Sequence, residues 1–450
     1  MPASTPDAPT PVPTSATPAS TAPTPSAPTS TTPGAAAPRA LAPDLARGLM
    51  LLLIAVANVS VYLWGHDTPL YTNHPVDGDG IDLVLSVIGI LFVDARIYPL
   101  FAFLFGYGMV QFAMSRHVRG VRPEAVRSML WRRHWWLLAF GFAHAALLFA
   151  GDILGAYGLA GLVLTAALFW RSDRAVRITA WILLGLFSVA VLLSLAAAAA
   201  VGLLLPPEAQ ALIAGAGTGD GAGGFGDLSN ADLLNGIPGY GWALLVRIGL
   251  WLVATPATVL ALLVPACILL GWLAARHRWL EVPGSRIRLG AVAAWGLAIG
   301  TLGAAPPALI HLGVLPALEP VAWGLMPLDQ LAGVAGGVGY AALFGALGVR
   351  LRGRSPAGVR AIAAVGRRSL SCYLLQSVVF APLLAAWGFG LGSRIGTAAA
   401  FAIALAVWLL SVALAVMLER RGARGPAEAL LRRLTYSRFD RAAGEPPISG

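Results

Sequence analysis

Apolar runs long enough to cross a bilayer recur along this chain between residues 45 and 418, separated by short stretches rich in charge, glycine or proline. A spanning helix needs about 20 mostly apolar residues. The runs that meet or approach this length are 45–65, 97–115, 135–151, 154–171, 178–205, 242–274, 287–305, 328–349, 369–388 and 396–418. The pattern predicts an all-α, polytopic integral membrane protein of ten transmembrane helices. Residues 242–274 exceed one span and contain Pro256 and Pro265, which predicts a kink or an added half-helix. Residues 81–93 are apolar too, but 13 residues make about 20 Å of helix, too little to cross. They are expected to lie along the interface or to dip in and return, with Asp94-Ala95-Arg96 at the threshold of the span that begins at 97.

Charge gives the expected orientation. An even number of spans puts both termini on one side. With the N-terminus inside, the inner segments hold 28 of the 31 basic residues, and only Arg96, Arg247 and Arg394 remain outside. Every basic residue is an arginine. The net charge of +10 is dispersed in clusters between apolar runs and accompanies no nucleic-acid-binding motif, so positive-inside anchoring accounts for it and nucleic acid is excluded as a partner. The lipid bilayer is the expected partner, because 57% hydrophobic and 12% charged residues do not suit a water-soluble surface.

Three parts follow from composition. Residues 1–43 are almost entirely Pro, Thr, Ser and Ala and predict a disordered cytoplasmic tail. They lack the charged and apolar regions of a signal peptide, so the first span is expected to stay attached. Residues 44–418 form the transmembrane part, with outer loops at 66–96 and 206–240, the second Gly-rich, acidic and suited to a lid. Residues 419–450 form a basic cytoplasmic tail with a short interfacial helix around Leu430, Leu431 and Leu434. Cys267 and Cys372 lie in apolar runs without paired or metal-type spacing and are assigned neither a disulfide nor a metal.

Polar side chains inside a membrane are costly and face the bundle interior. Asn58, in span one, either bonds a neighbouring helix or lines a pocket. His144, near the end of span three, is a packing residue or a proton relay. Asp152, in "AGDILGAYG", either caps the following helix or serves a site. Tyr373, Gln376 and Ser377 are spaced i, i+3, i+4 and share one inward helix face, as structural contacts or as a cavity lining. Asp82, Asp94, Arg96, Asp152, Arg247, His311 and Asp329 converge on the outer ends of spans and predict an outward-facing polar pocket.

Several stretches resemble the YeiB-like family of bacterial membrane proteins, domain of unknown function 418. They are "DLARGLMLLLIAVAN" at 44–58, "DARIYPLFAFLFGYG" at 94–108, "RRHWWLLAFGFAHAALLFAGDILGAYGLAGL" at 132–162, "GRRSLSCYLLQS" at 366–377 and "GPAEALLRRLTY" at 425–436. The family's C-terminal part is expected at about 245–440. The pattern departs at Ser371-Cys372 and at Ala429. The chain is also similar, more distantly, to the transmembrane acyltransferase superfamily, through the Arg-Gly start of span one, the Asp-x-x-x-x-Pro-x-Phe lead into span two and the basic residues after it. That likeness implies a multi-pass protein of the bacterial plasma membrane that passes an acyl group from cytosolic acyl-CoA, as co-substrate, to an envelope or small-molecule acceptor.

Acyl transfer needs a general base or a nucleophile. Candidates for the catalytic group are Asp94, Asp152, His144 and His74; His66 and His74 precede Asp94 by 28 and 20 residues. Candidates for lining the pocket are Asn58, Arg96, Arg247, Asp329, Tyr373, Gln376 and Ser377. Arg47, Arg132, Arg133 and Arg367, at inner span ends, are candidates for CoA phosphates or ordinary positive-inside residues. No cofactor is evident. Two other functions compete: a transporter of a small molecule or envelope precursor, suggested by the polar stripe and the 206–240 loop, and a non-catalytic scaffold, suggested by the two tails.

Overall fold

A computed structural model describes residues 41–69, 71–210, 230–280, 288–351 and 356–442. Most of the expected N-terminal tail, and residues 211–229 of the proposed lid, lie outside them. The described residues form fifteen α-helices and no strand. In chain order these are α1 (Leu41–Ser60), α2 (Gly80–Phe92), α3 (Ile97–His117), α4 (Pro123–Leu147), α5 (Leu154–Ala167), α6 (Asp173–Leu204) and α7 (Asn230–Asn235). There follow α8 (Tyr240–Leu260), α9 (Leu263–Arg276), α10 (Leu289–His311), α11 (Met326–Arg350), α12 (Ala357–Arg367), α13 (Ser369–Leu384), α14 (Thr397–Arg420) and α15 (Pro426–Ala442).

Among the described residues, seven helical stretches are long and apolar enough to cross a membrane: 43–60, 80–117, 173–204, 240–260, 289–311, 316–350 and 397–420. Helices α5, α9 and α13 are apolar but shorter. Large apolar side chains stand exposed along the long helices, among them Leu192, Leu203, Val253, Trp295 and Leu409. Such surface is stable only against another apolar phase, and hydrocarbon provides it.

Within the 80–117 stretch, residues 80–92 form a helix of their own, α2, set off from α3 by a turn. Its Ser86, Gly89 and Ile90 are buried, while Ile81, Val84, Ile88 and Phe92 are exposed. The chain turns at Asp94-Ala95-Arg96, where Ala95 takes a left-handed φ of 52°, and α3 begins at Ile97. Asp82 accepts the Ala398 amide at 2.6 Å and so caps α14, while Ser86 and Thr397 share a 3.0 Å hydrogen bond. The outer position expected for Asp82 thus has a local structural use.

The long apolar stretch 242–274 is two helices. The break falls between its two prolines, at Leu262, whose φ of 71° is unusual for a residue with a Cβ. Pro256 is carried inside α8, and Pro265 sits in the first turn of α9, where its missing N–H costs little. The bend is therefore located by a strained leucine and not by either proline.

Close helix packing sets the positions of the polar residues. Between α10 and α11, a Cβ on Gly296 would stand 2.8 Å from the Gly339 Cα, and one on Gly300 would stand 3.0 Å from that of Gly336. Small residues let two backbones approach this closely. The same approach brings the Gly300 carbonyl to the Arg96 guanidinium. Gly106 of α3 packs on the Ile268 backbone of α9, as its placement inside span two anticipates.

Candidate functional site

His144 lies in the last turn of α4, which ends at Leu147, and five residues later Asp152 precedes α5. The hairpin returns Asp152 to His144: Asp152 Oδ1 meets His144 Nδ1 at 2.8 Å. Asp152 Oδ2 accepts the Gly155 amide at 2.7 Å. One oxygen caps α5, the first of the two readings of Asp152, and the other holds the histidine. The opposite ring nitrogen, His144 Nε2, is 2.8 Å from Ser377 Oγ on α13. The result is a Ser377–His144–Asp152 chain of hydrogen bonds in which all three residues are buried.

Local sequence makes room for this chain. A Cβ at Gly141, one turn before His144, would collide with Asp152 Oδ2 and the Gly155 amide. Gln376 donates to the Leu51 carbonyl at 2.9 Å and fixes α13 against α1. Tyr373 packs its ring 5.1 Å from that of His144. Its hydroxyl lies beside the Ile153 amide and donates to no acceptor among the described residues. Phe149 stands 6.3 Å from the His144 ring and stacks on Tyr62 at 5.3 Å. A carboxylate on Nδ1 fixes the tautomer that leaves Nε2 able to accept a proton, which is what a serine needs to become a nucleophile.

A second polar centre lies between α2, α3, α10 and α11. His74 Nε2 meets Asp94 Oδ2 at 3.0 Å, although 20 residues separate them, because α2 folds back towards the loop before it. A Cβ on Gly89 would stand 2.7 Å from the His74 ring, so glycine admits it. Arg96 Nη2 pairs with Asp329 Oδ1 at 2.9 Å and also donates, through its two terminal nitrogens, to the Ile90, Asp94 and Gly300 carbonyls. His311 is buried nearby with neither ring nitrogen bonded. The sequence gathers Arg96, Asp152 and Asp329 among the polar residues at the outer ends of spans. Arg96 pairs with Asp329, whereas Asp152 is held by His144 across their shared hairpin.

The remaining candidates separate. Asn58 is half-buried, and the structure gives its side chain no bond to either centre. Arg247 is fully buried and donates through Nε to the Ala146 carbonyl at 3.0 Å. His66 pairs with Asp77 at 3.0 Å, away from Asp94. Among the arginines, Arg367 reaches Glu419 at 2.7 Å and Asp44 at 3.9 Å, and Arg47 lies 3.5 Å from Asp44. Arg132 donates to the Leu434 carbonyl at 2.9 Å. Arg133 lies near Tyr436, over whose ring the Arg116 guanidinium stands at 4.7 Å. Sequence reasoning overlooked Glu419, marked Glu428 only as part of the resembling stretch 425–436, and overlooked Tyr62, Phe149 and Trp387, whose pattern is that of ordinary membrane-interface aromatics.

Known proteins share this arrangement of sequence. Residues 274–438 match the family model described as Protein of unknown function (DUF418). The uncharacterized protein YeiB of Escherichia coli (strain K12) is 29% identical over 423 residues, which cover 90% of this chain and 97% of YeiB. The chain is thus similar to YeiB along nearly all its length. An uncharacterized 39.9 kDa protein in the amylase 3' region of Bacillus acidopullulyticus is 31% identical over 144 residues, 32% of this chain and 38% of its own. The uncharacterized protein YxaH of Bacillus subtilis (strain 168) is 37% identical over 92 residues, 20% of this chain and 21% of its own. Within this chain, the DUF418 match contains Asp329, Ser377 and Glu428, while His144 and Asp152 lie upstream of it.

Proposed function

We propose that this protein is an integral-membrane acyltransferase in which Ser377 carries the acyl group. The observation that supports this most is the continuous Ser377–His144–Asp152 hydrogen-bond chain, at 2.8 Å on each side of the histidine and buried at all three residues. Three polar groups aligned in this order are costly to bury, and the alignment is the one nucleophilic acyl transfer needs.

In the first half of the reaction, Ser377 Oγ attacks the carbonyl carbon of an acyl thioester while His144 Nε2 takes the hydroxyl proton. The carbonyl π pair moves to oxygen, and the Tyr373 hydroxyl, one helical turn before Ser377, is the donor we assign to that oxyanion. Collapse breaks the C–S bond, and the imidazolium returns its proton to the departing thiolate. In the second half, an acceptor hydroxyl gives its proton to His144 and attacks the acyl-serine. The new ester leaves and Ser377 regains the proton. Asp152 stays ionised throughout and holds the ring.

Ten crossings with both termini in the cytoplasm of a bacterial plasma membrane fit this reading, because 28 of 31 arginines then face inward. Acyl-CoA is the cytosolic thioester donor, and Arg116, Arg132 and Arg133, gathered near Tyr436, are the groups we assign to its phosphates. The acceptor is an envelope or small-molecule hydroxyl compound.

Treating full-length protein in detergent with a fluorophosphonate, and mapping the adduct by mass spectrometry, tests the assignment. Labelling on Ser377 is expected, with none in Ser377→Ala and at least tenfold slower labelling in His144→Ala. A folded wild-type protein that takes no label at Ser377 would sink the reading.

A further inference from the structure

Three arginines are buried among the described residues: Arg96, Arg247 and Arg368. Two of them are neutralised. Arg96 has Asp329 and three carbonyls, and Arg368 has Glu419 at 2.7 Å and the Ala423 carbonyl at 2.6 Å. Arg247 differs. Its Nε bonds the Ala146 carbonyl, but Nη1 and Nη2 have no hydrogen-bond partner, and no acid among the described residues pairs with them. Beside them is the Tyr240 hydroxyl, which donates to the Leu147 carbonyl at 3.1 Å and leaves its oxygen to accept from the guanidinium, a neutral partner that brings no counter-charge. A guanidinium keeps its charge at any physiological pH, so two buried terminal nitrogens without a counter-charge call for an anion.

The surroundings hold the guanidinium in place. Its carbon lies 5.3 Å from the Tyr240 ring centre and 5.8 Å from that of Trp387. Aromatic walls favour the cation and leave its edge with the two terminal nitrogens for a partner. Ala146, to which Arg247 is tied, stands two residues beyond His144 on α4, about 3 Å along the helix axis. Tyr62, stacked on the Phe149 that touches His144, lies within electrostatic reach of both Arg247 and Tyr373, and its hydroxyl is buried without a partner. Unsatisfied donors thus run from Arg247 through Tyr62 to Tyr373, ending at the Ser377 relay.

We infer that Arg247 is the recognition residue for a compact oxyanion, a carboxylate or a phosphate group, on the substrate that Ser377 acts on. The two terminal nitrogens offer the parallel donors that two oxygens of such a group accept. Calling the anion part of a substrate rests on the acyl-transfer reading; its binding to Arg247 does not.

The test is thermal unfolding of full-length protein in detergent at fixed ionic strength, titrated with butyrate, with inorganic phosphate or with neutral butyramide. One or both anions are expected to raise the melting temperature saturably, while butyramide does not. A response to butyrate alone assigns a carboxylate, and a response to phosphate alone assigns a phosphate group. Arg247→Gln should abolish the response. Arg247→Lys, which keeps the charge and the fold but loses the paired donors, should weaken it about tenfold. The inference is overturned if no anion stabilises the wild type, if Arg247→Gln responds like it, or if Arg247→Lys binds as tightly. If Ser377 takes no fluorophosphonate while the Arg247-dependent response holds, acyl transfer falls and the anion site stands; the reverse pair of results removes the site alone.

Discussion

His144 and Asp152 meet at 2.8 Å across the turn between α4 and α5, and the carboxylate's second oxygen bonds the Gly155 amide that opens α5. The two oxygens serve different purposes, so the two can be separated. Asp152→Asn keeps an acceptor for Gly155 but can donate its amide to Nδ1, which favours the wrong tautomer. Labelling of Ser377 is expected to slow by a factor on the order of 10²–10⁴, with the melting temperature nearly unchanged. Equal rates in the two proteins would mean that His144 needs no orienting partner.

The approach of the two helices is set by Gly141, whose added Cβ would collide with the Gly155 amide and with Asp152 Oδ2. The clash is with backbone and with a held carboxylate, neither of which can swing away. Gly141→Ala should therefore cost about 1–3 kcal/mol, as overpacking in a dense core does, and slow Ser377 labelling too. Unfolding in detergent and labelling rate measure the two effects. Gly185→Ala, where a Cβ meets nothing within 4 Å, is the comparison.

These residues were legible one at a time. His144, Asp152 and Ser377 each stand out as polar groups in apolar sequence, and the shared face of Tyr373, Gln376 and Ser377 is indeed buried. Their convergence was not legible, because Ser377 is 233 positions from His144 and only tertiary packing joins them. The same limit hid the ion pairs: Arg367 and Glu419 are 52 positions apart, so Arg367 reads in sequence as an inner-face cation. The break at Leu262 left no mark either. A left-handed leucine is imposed by packing, while Pro256 and Pro265 carry the visible helix-breaking signal.

Arg96 and Asp329 form the best-buried ion pair of the second centre, with side-chain exposures of 2% and 15%. Removing one member leaves the other charge uncompensated in a medium that solvates it poorly. Asp329→Leu should destabilise by roughly 3–5 kcal/mol. Arg96→Met combined with Asp329→Leu should recover much of that loss, since the double variant buries no unpaired charge. A double variant less stable than Asp329→Leu alone would show that Arg96 matters through its carbonyl contacts. A melting series on the four proteins, read as a thermodynamic cycle, decides between these outcomes.

Glu428, on the C-terminal helix α15, accepts the Leu370 amide at 2.7 Å and the Ser371 amide at 3.2 Å, at the start of α13. It also accepts the Ser371 hydroxyl, which in turn receives the Ala427 amide at 3.0 Å. The carboxylate thus caps the helix that carries Ser377 and anchors α15 to the arginine-rich end of the bundle. An anion at a helix N-terminus gains from both the free amides and the helix dipole. Glu428→Ala should cost about 1–3 kcal/mol and release α15, seen as faster hydrogen exchange over residues 426–436. Ser371→Ala removes only the hydroxyl and should have a smaller effect. Protection in Glu428→Ala equal to wild type would mean that α15 is held by its packing on α4 and by the stack of Tyr436 on Phe112 of α3, 6.2 Å apart, and not by the cap.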